Sequence, residues 1–142
     1  MPIINPEVEN VINSKITEAS AKAKLNEILD FIRKEKNDIT FELSKADTEN
    51  PTKINLVTSF LSQYQANILY QALLGEFKSS FSENAFADKK PFSGKLFFVH
   101  RSTTNSAVDN FRLVIKLHEF QKQFVLKSSD ANNSTNPSIQ NI

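Results

Sequence analysis

"NFRLVIKLHEFQKQFVLKSS", residues 110–129, decides the fold of this 142-residue chain. At a period of two, Phe111, Leu113, Ile115 and Leu117 share one face, and Arg112, Val114, Lys116 and His118 share the other. That alternation marks a half-buried strand. Residues 123–128 give a further strand, with Phe124 and Leu126 together. At helical spacing, Leu113, Leu117, Phe120 and Phe124 form one stripe, and Ser106 with Asp109 makes a capping-box-like pair. No Gly, Pro, Asn, Asp or Ser interrupts residues 111–127, so a hairpin there lacks ordinary turn chemistry. Against the helix, Phe111, Val114, Ile115, Val125 and Leu126 fall mostly off its stripe, so the strand reading is the cleaner one.

The expectation is an α+β domain: two long helices packed on a small, mostly antiparallel sheet. Its strands lie near residues 38–45, 95–103, 110–118 and 122–128. The alternative is a mainly α fold with residues 107–127 as a third helix. Residues 6–37 read as the first helix. Asn5 caps it, Pro6 takes the first position, and Val8, Ile12, Ile16, Ala19 and Ala23 recur at three- and four-residue steps before a shift to Leu25, Ile28, Leu29 and Ile32. Two helices with a bend near Ser20 are the variant reading. "DITFELSK" alternates as a strand. Asn50 and Pro51 then suggest the start of a second helix over 52–74, stopped at Gly75.

The length fits one domain, residues 1–127, followed by a polar, Asn/Ser-rich tail over 128–142 that is expected to be disordered in isolation. A chain of this size buries roughly two-thirds of its unfolded surface, so it needs no metal or disulfide to hold a core. The absence of cysteine excludes disulfides, thiolate chemistry and Cys-based metal sites. "MPIINPEVEN" carries no secretory signal, and no apolar run approaches the ~20 residues of a bilayer span. A cytoplasmic or virion-internal location, without membrane contact, is expected.

Chemistry-bearing motifs are scarce. With two glycines, the chain cannot form a Gly-rich phosphate cradle, and "SGKL" has Leu96 where a hydroxyl is required. His100 and His118 are the two imidazoles, without a carboxylate cluster or a third ligand. No nucleophile elbow occurs, and Asp47 and Glu49 sit in a polar loop. No enzyme activity, cofactor or metal is expected. No motif that identifies a family can be quoted. Size and lack of cysteine are shared with secretion chaperones and small phage or plasmid accessory proteins, an analogy of composition only.

Two features remain for function. "GEFKSSFSENAFADKKPFSG", residues 75–94, is loop-like yet carries Phe77, Phe81, Phe86 and Phe92. The rings either plug into the core or anchor a partner protein, as a few aromatics do at interfaces. Charge is also uneven. Residues 1–87 hold nine Lys/Arg against twelve Asp/Glu, a balance of −3; residues 88–142 hold eight against four, a balance of +4. In the strand reading Arg112, Lys116 and His118 share a face, which Lys127 could join; with Arg101 they form a candidate nucleic-acid surface. Phe111 and Phe124 fall on the opposite, apolar face, which weighs against base stacking. The leading functional expectation is a non-catalytic protein-interaction module, an adaptor, chaperone or structural subunit of an assembly, with homo-oligomers included. The alternative is an RNA- or DNA-binding accessory protein using a basic face in residues 95–127.

Overall fold

The computed structural model describes residues 6–45, 53–86, 93–102, 110–125 and 127. Phe92, Asn50, Pro51 and the tail lie outside these residues. The deciding stretch is strand and helix in succession. Phe111–Lys116 is a strand, and residues 117–125 are helical. The strand expected over 122–128 is therefore replaced by helix as far as residue 125. Leu117 and Phe120 are buried three residues apart with Phe124 packed beside them, the spacing a helix needs. With no turn residues available, the chain leaves the sheet without a hairpin.

The element order is α1 (Pro6–Lys15), α2 (Ala19–Glu35), β1 (Phe41–Lys45), β2 (Ile54–Thr58), α3 (Gln63–Phe77), β3 (Phe97–Arg101), β4 (Phe111–Lys116) and α4 (residues 117–125). A short 3₁₀ turn, Lys78–Ser80, follows α3. The fold is α+β, with one four-stranded antiparallel sheet in the order β1-β2-β4-β3.

The helix expected over 6–37 breaks at residues 16–18. Ile16 is fully buried at the break, and the backbone N–H groups of Thr17 and Glu18 donate to Gln121 Oε1 at 2.7 and 2.9 Å. A side chain of α4 thus caps α2, whose own N-cap residue Glu18 makes no side-chain cap bond.

The helix expected over 52–74 is corrected more strongly. Ile54–Thr58 is a central strand, pairing Leu43 with Leu56 on one side and Val57 with Val114 on the other. The helix begins later, at a capping box. Ser62 Oγ accepts from Gln65 N–H at 3.1 Å, and Gln65 Oε1 accepts from Ser62 N–H at 3.4 Å. Gly75 does not stop the helix, which runs on to Phe77.

One face of the sheet meets the helices. Phe41, Leu56, Phe97, Leu113 and Ile115 join Val8, Ile12, Leu25, Ile28, Ile32, Leu69 and Leu73 in a single apolar cluster. Successive strand residues alternate faces, so Glu42, Ser44, Asn55, Val57, Phe98, His100, Arg112, Val114 and Lys116 line the opposite face.

Candidate functional site

The loop phenylalanines belong to the core. Phe77, Phe81 and Phe86 are each at most 5 % exposed. Phe77 meets Phe31 edge-on at 5.5 Å. Phe81 sits among Phe97, Phe120 and Phe124 at 5.2–6.0 Å. Phe86 stacks on Phe97 and meets Tyr70 edge-on. The backbone seals the arrangement: Ala85 O accepts from Leu96 and Phe97 N–H, and Ser82 N–H donates to Gln123 O. Partner anchoring by these three rings is thereby corrected, because rings this large are driven from water and the fold supplies a cavity for each. Phe92 lies outside the described residues.

The basic residues do not form one face. Arg112 and Lys116 lie on the outer sheet face as expected. Arg101 is exposed at the end of β3, on the other side of the pleat, with its guanidinium 6.0 Å from the Phe111 ring. His118 falls in the first turn of α4, and Lys127 is helical too, at its far end, beside Ser82, Asn84, Lys95 and Lys122. A shared face requires the period of two to run through residue 118, but the strand ends at Lys116 and the period changes there. His118 is part-buried. Its Nδ1 has no partner, and burial lowers its pKa from the ordinary value.

The outer sheet face holds a groove of about 370 Å³. Its floor is Val57 and Val114, 4 % and 3 % exposed yet outside the main cluster. Phe60 and Phe98 flank the floor, with Ser44, Asn55, His100, Ser102 and Arg112 completing the lining. Each ring carries a cation. Arg112 lies 4.3 Å from the Phe60 centroid and Lys116 Nζ 5.1 Å from that of Phe98. Arg112 is fixed further: its Nε donates to Thr58 O at 2.7 Å, and its guanidinium pairs with Glu42. Asn55 Oδ1 is buried without a hydrogen-bond partner. Phe98 was legible as an outward residue, since in "LFFVHR" it must point opposite to Phe97.

A second surface lies on α3. Tyr64 is 75 % exposed and Ile68 is 44 % exposed, one turn apart. Glu76 is the one charged residue in Gln63–Phe77. Beside Ile68 is a shallow depression of about 90 Å³ lined by Glu35, Lys36, Gln65, Ile68 and Leu69. Tyr64 and Ile68 are the exposed large apolar side chains of α3. The sequence signal for their exposure was the near absence of charge from a helix apolar on several sides.

Among the described residues no group of three His, Cys, Asp or Glu could hold a metal ion, and no helix is long and apolar enough to cross a membrane. No family model matches the chain, and neither the curated proteins nor the solved structures contain a match.

Proposed function

We propose that this chain is a non-catalytic protein-interaction module that docks a partner on the outward side of α3, as an adaptor or a subunit of a larger assembly. The observation that carries this reading is the exposure of Tyr64 and Ile68 on a helix with a single charged residue. Exposed helix sides are ordinarily charged, because ions are best solvated there. Depletion of charge with an aromatic residue at the centre is the composition of an interface core. The partner is another protein whose matching patch is apolar and uncharged. An aliphatic side chain of that partner fits the depression beside Ile68.

The test compares wild type with Tyr64→Ser/Ile68→Ser as bait in extracts of the native source. A partner retained by wild type and lost by the double variant, with both baits equally stable, supports the reading. Equal retention by both baits overturns it. A concentration-dependent dimer abolished by the same substitutions makes a second copy of the chain the occupant.

A further inference from the structure

The outer sheet face presents a different chemistry from α3. It combines an apolar floor, two aromatic walls, cations lying over those walls and a buried amide oxygen with nothing to accept from. Core packing does not explain Val57 and Val114, which lie outside the helix-backed cluster. Nor does it explain Asn55, whose Oδ1 gains nothing from burial without a donor. Asn55 stands between Ser44 and Lys116 in one row across the sheet, and Val57 and Val114 stand beside Phe98 in the next.

We propose that this face binds single-stranded nucleic acid, with a base stacked on Phe98, a base N–H group (the N3–H of a thymine included) donating to Asn55 Oδ1, and the adjoining phosphate held by Lys116. Phe98 is half-buried beneath the Lys116 ammonium, and a base that takes the place of that ammonium on the ring must be unpaired, which a single strand supplies and a duplex does not. Lys116 makes no ion pair among the described residues; its ammonium rests over Phe98. On binding, the two partners exchange: the base takes the ring and the ammonium moves to the phosphate. Arg112 plays a fixed part. Glu42 and the Thr58 carbonyl hold it over Phe60, so it forms a flat wall of the groove and contributes little net charge. Binding therefore rests on stacking more than on phosphate attraction, and its salt dependence is shallow.

This inference goes beyond the protein-docking reading and uses a separate surface. The probe is a dye-labelled thymidine oligomer of about ten nucleotides, followed by fluorescence anisotropy with the full chain. Binding is expected at about 50 mM salt, with a duplex of the same length and free thymidine monophosphate both much weaker. Phe98→Leu keeps apolar volume and loses the aromatic face, so it weakens binding roughly tenfold with the fold intact. Lys116→Gln reduces the slope of log affinity against log salt by about 0.7, the share of one phosphate on a single strand. Lys34→Gln on α2 leaves that slope unchanged, and Tyr64→Ser/Ile68→Ser leaves the affinity unchanged. The proposal is overturned by failure of the folded protein to bind the oligomer, by wild-type affinity in Phe98→Leu, or by equal affinity for duplex or mononucleotide. Loss of a protein partner in Phe98→Leu, without any oligomer binding, also overturns it and makes the face a protein contact.

Discussion

Phe86 lies stacked on Phe97, with ring centroids 4.5 Å apart and planes inclined by 16°. Tyr70 closes the cluster edge-on to Phe86 at 5.8 Å. A loop residue therefore completes the core between α3 and β3. Phe86→Ala is expected to lower stability by ~3–5 kcal/mol, the cost of emptying a buried aromatic site. Thermal and urea melts of the isolated protein measure it. A loss below about 0.5 kcal/mol, the range of surface sites, would return Phe86 to the role of a partner anchor.

Gly94 makes the same docking sterically possible. A Cβ there would lie 2.2 Å from Ala85 O and 2.7 Å from Phe86 Cα, both backbone atoms. Neither can yield as a flexible side chain can, so Gly94→Ala must push the segment bearing Phe86 away from β3. Stability is expected to fall by at least ~1–3 kcal/mol, as for other overpacked sites. A melt indistinguishable from wild type rules out this close approach.

The cap supplied across the fold is the third test. Gln121 Oε1 accepts from the N–H groups of both Thr17 and Glu18. Gln121→Ala leaves these donors to water and is expected to cost ~0.5–2 kcal/mol, the range for losing an N-cap. Gln121→Glu keeps the acceptor and places negative charge at the positive end of α2, so it should recover most of the loss. Equal stability of the Ala and Glu variants would show that the contact contributes nothing specific.

Much of the fold was written locally. The alternation of Phe111 through Lys116 is a strand, and Val8, Ile12, Leu25, Ile28 and Ile32 mark helix faces that are buried as expected. The errors arose where two local signals competed. Asn50-Pro51 suggests a helix start, while the capping box that forms begins at Ser62, well beyond Pro51, and is completed by Gln65. "INLVT" gains more from pairing with β1 and β4 than from a helix, a tertiary effect that no window of sequence contains. The candidate site was less legible. Arg112 and Lys116 were placed on the right face, but pairing them with Phe98 requires the β3–β4 register. Exposure of Tyr64 and Ile68 depends on where α2 and the sheet leave α3 uncovered.

Gly75 gives a prediction of opposite sign. It lies inside α3, exposed, and an added Cβ would meet nothing within 4 Å. Glycine in a helix interior carries excess conformational freedom in the unfolded chain. Gly75→Ala is expected to stabilise the protein by ~0.5–1 kcal/mol. A destabilised variant would mean that the helix does not continue through residue 75 to Phe77.

His118 sets the last prediction, on acid stability. Burial is the main cause that lowers its pKa from 6.5; the nearby Ile54 backbone and Glu119 oppose it, while Lys116 and Lys53 add to it. The unfolded chain therefore takes up a proton at this residue before the folded protein does. Its contribution to stability is present above the unfolded value of 6.5 and is lost as pH falls from there through the lower folded value. Melting temperature is expected to fall between about pH 7.5 and pH 5 more steeply in wild type than in His118→Gln, which has nothing to titrate there. Other groups, the carboxylates included, change both proteins alike, so the difference between the two curves isolates the imidazole. Parallel curves, or an NMR titration of the His118 ring with its midpoint at or above 6.5, would refute the assignment.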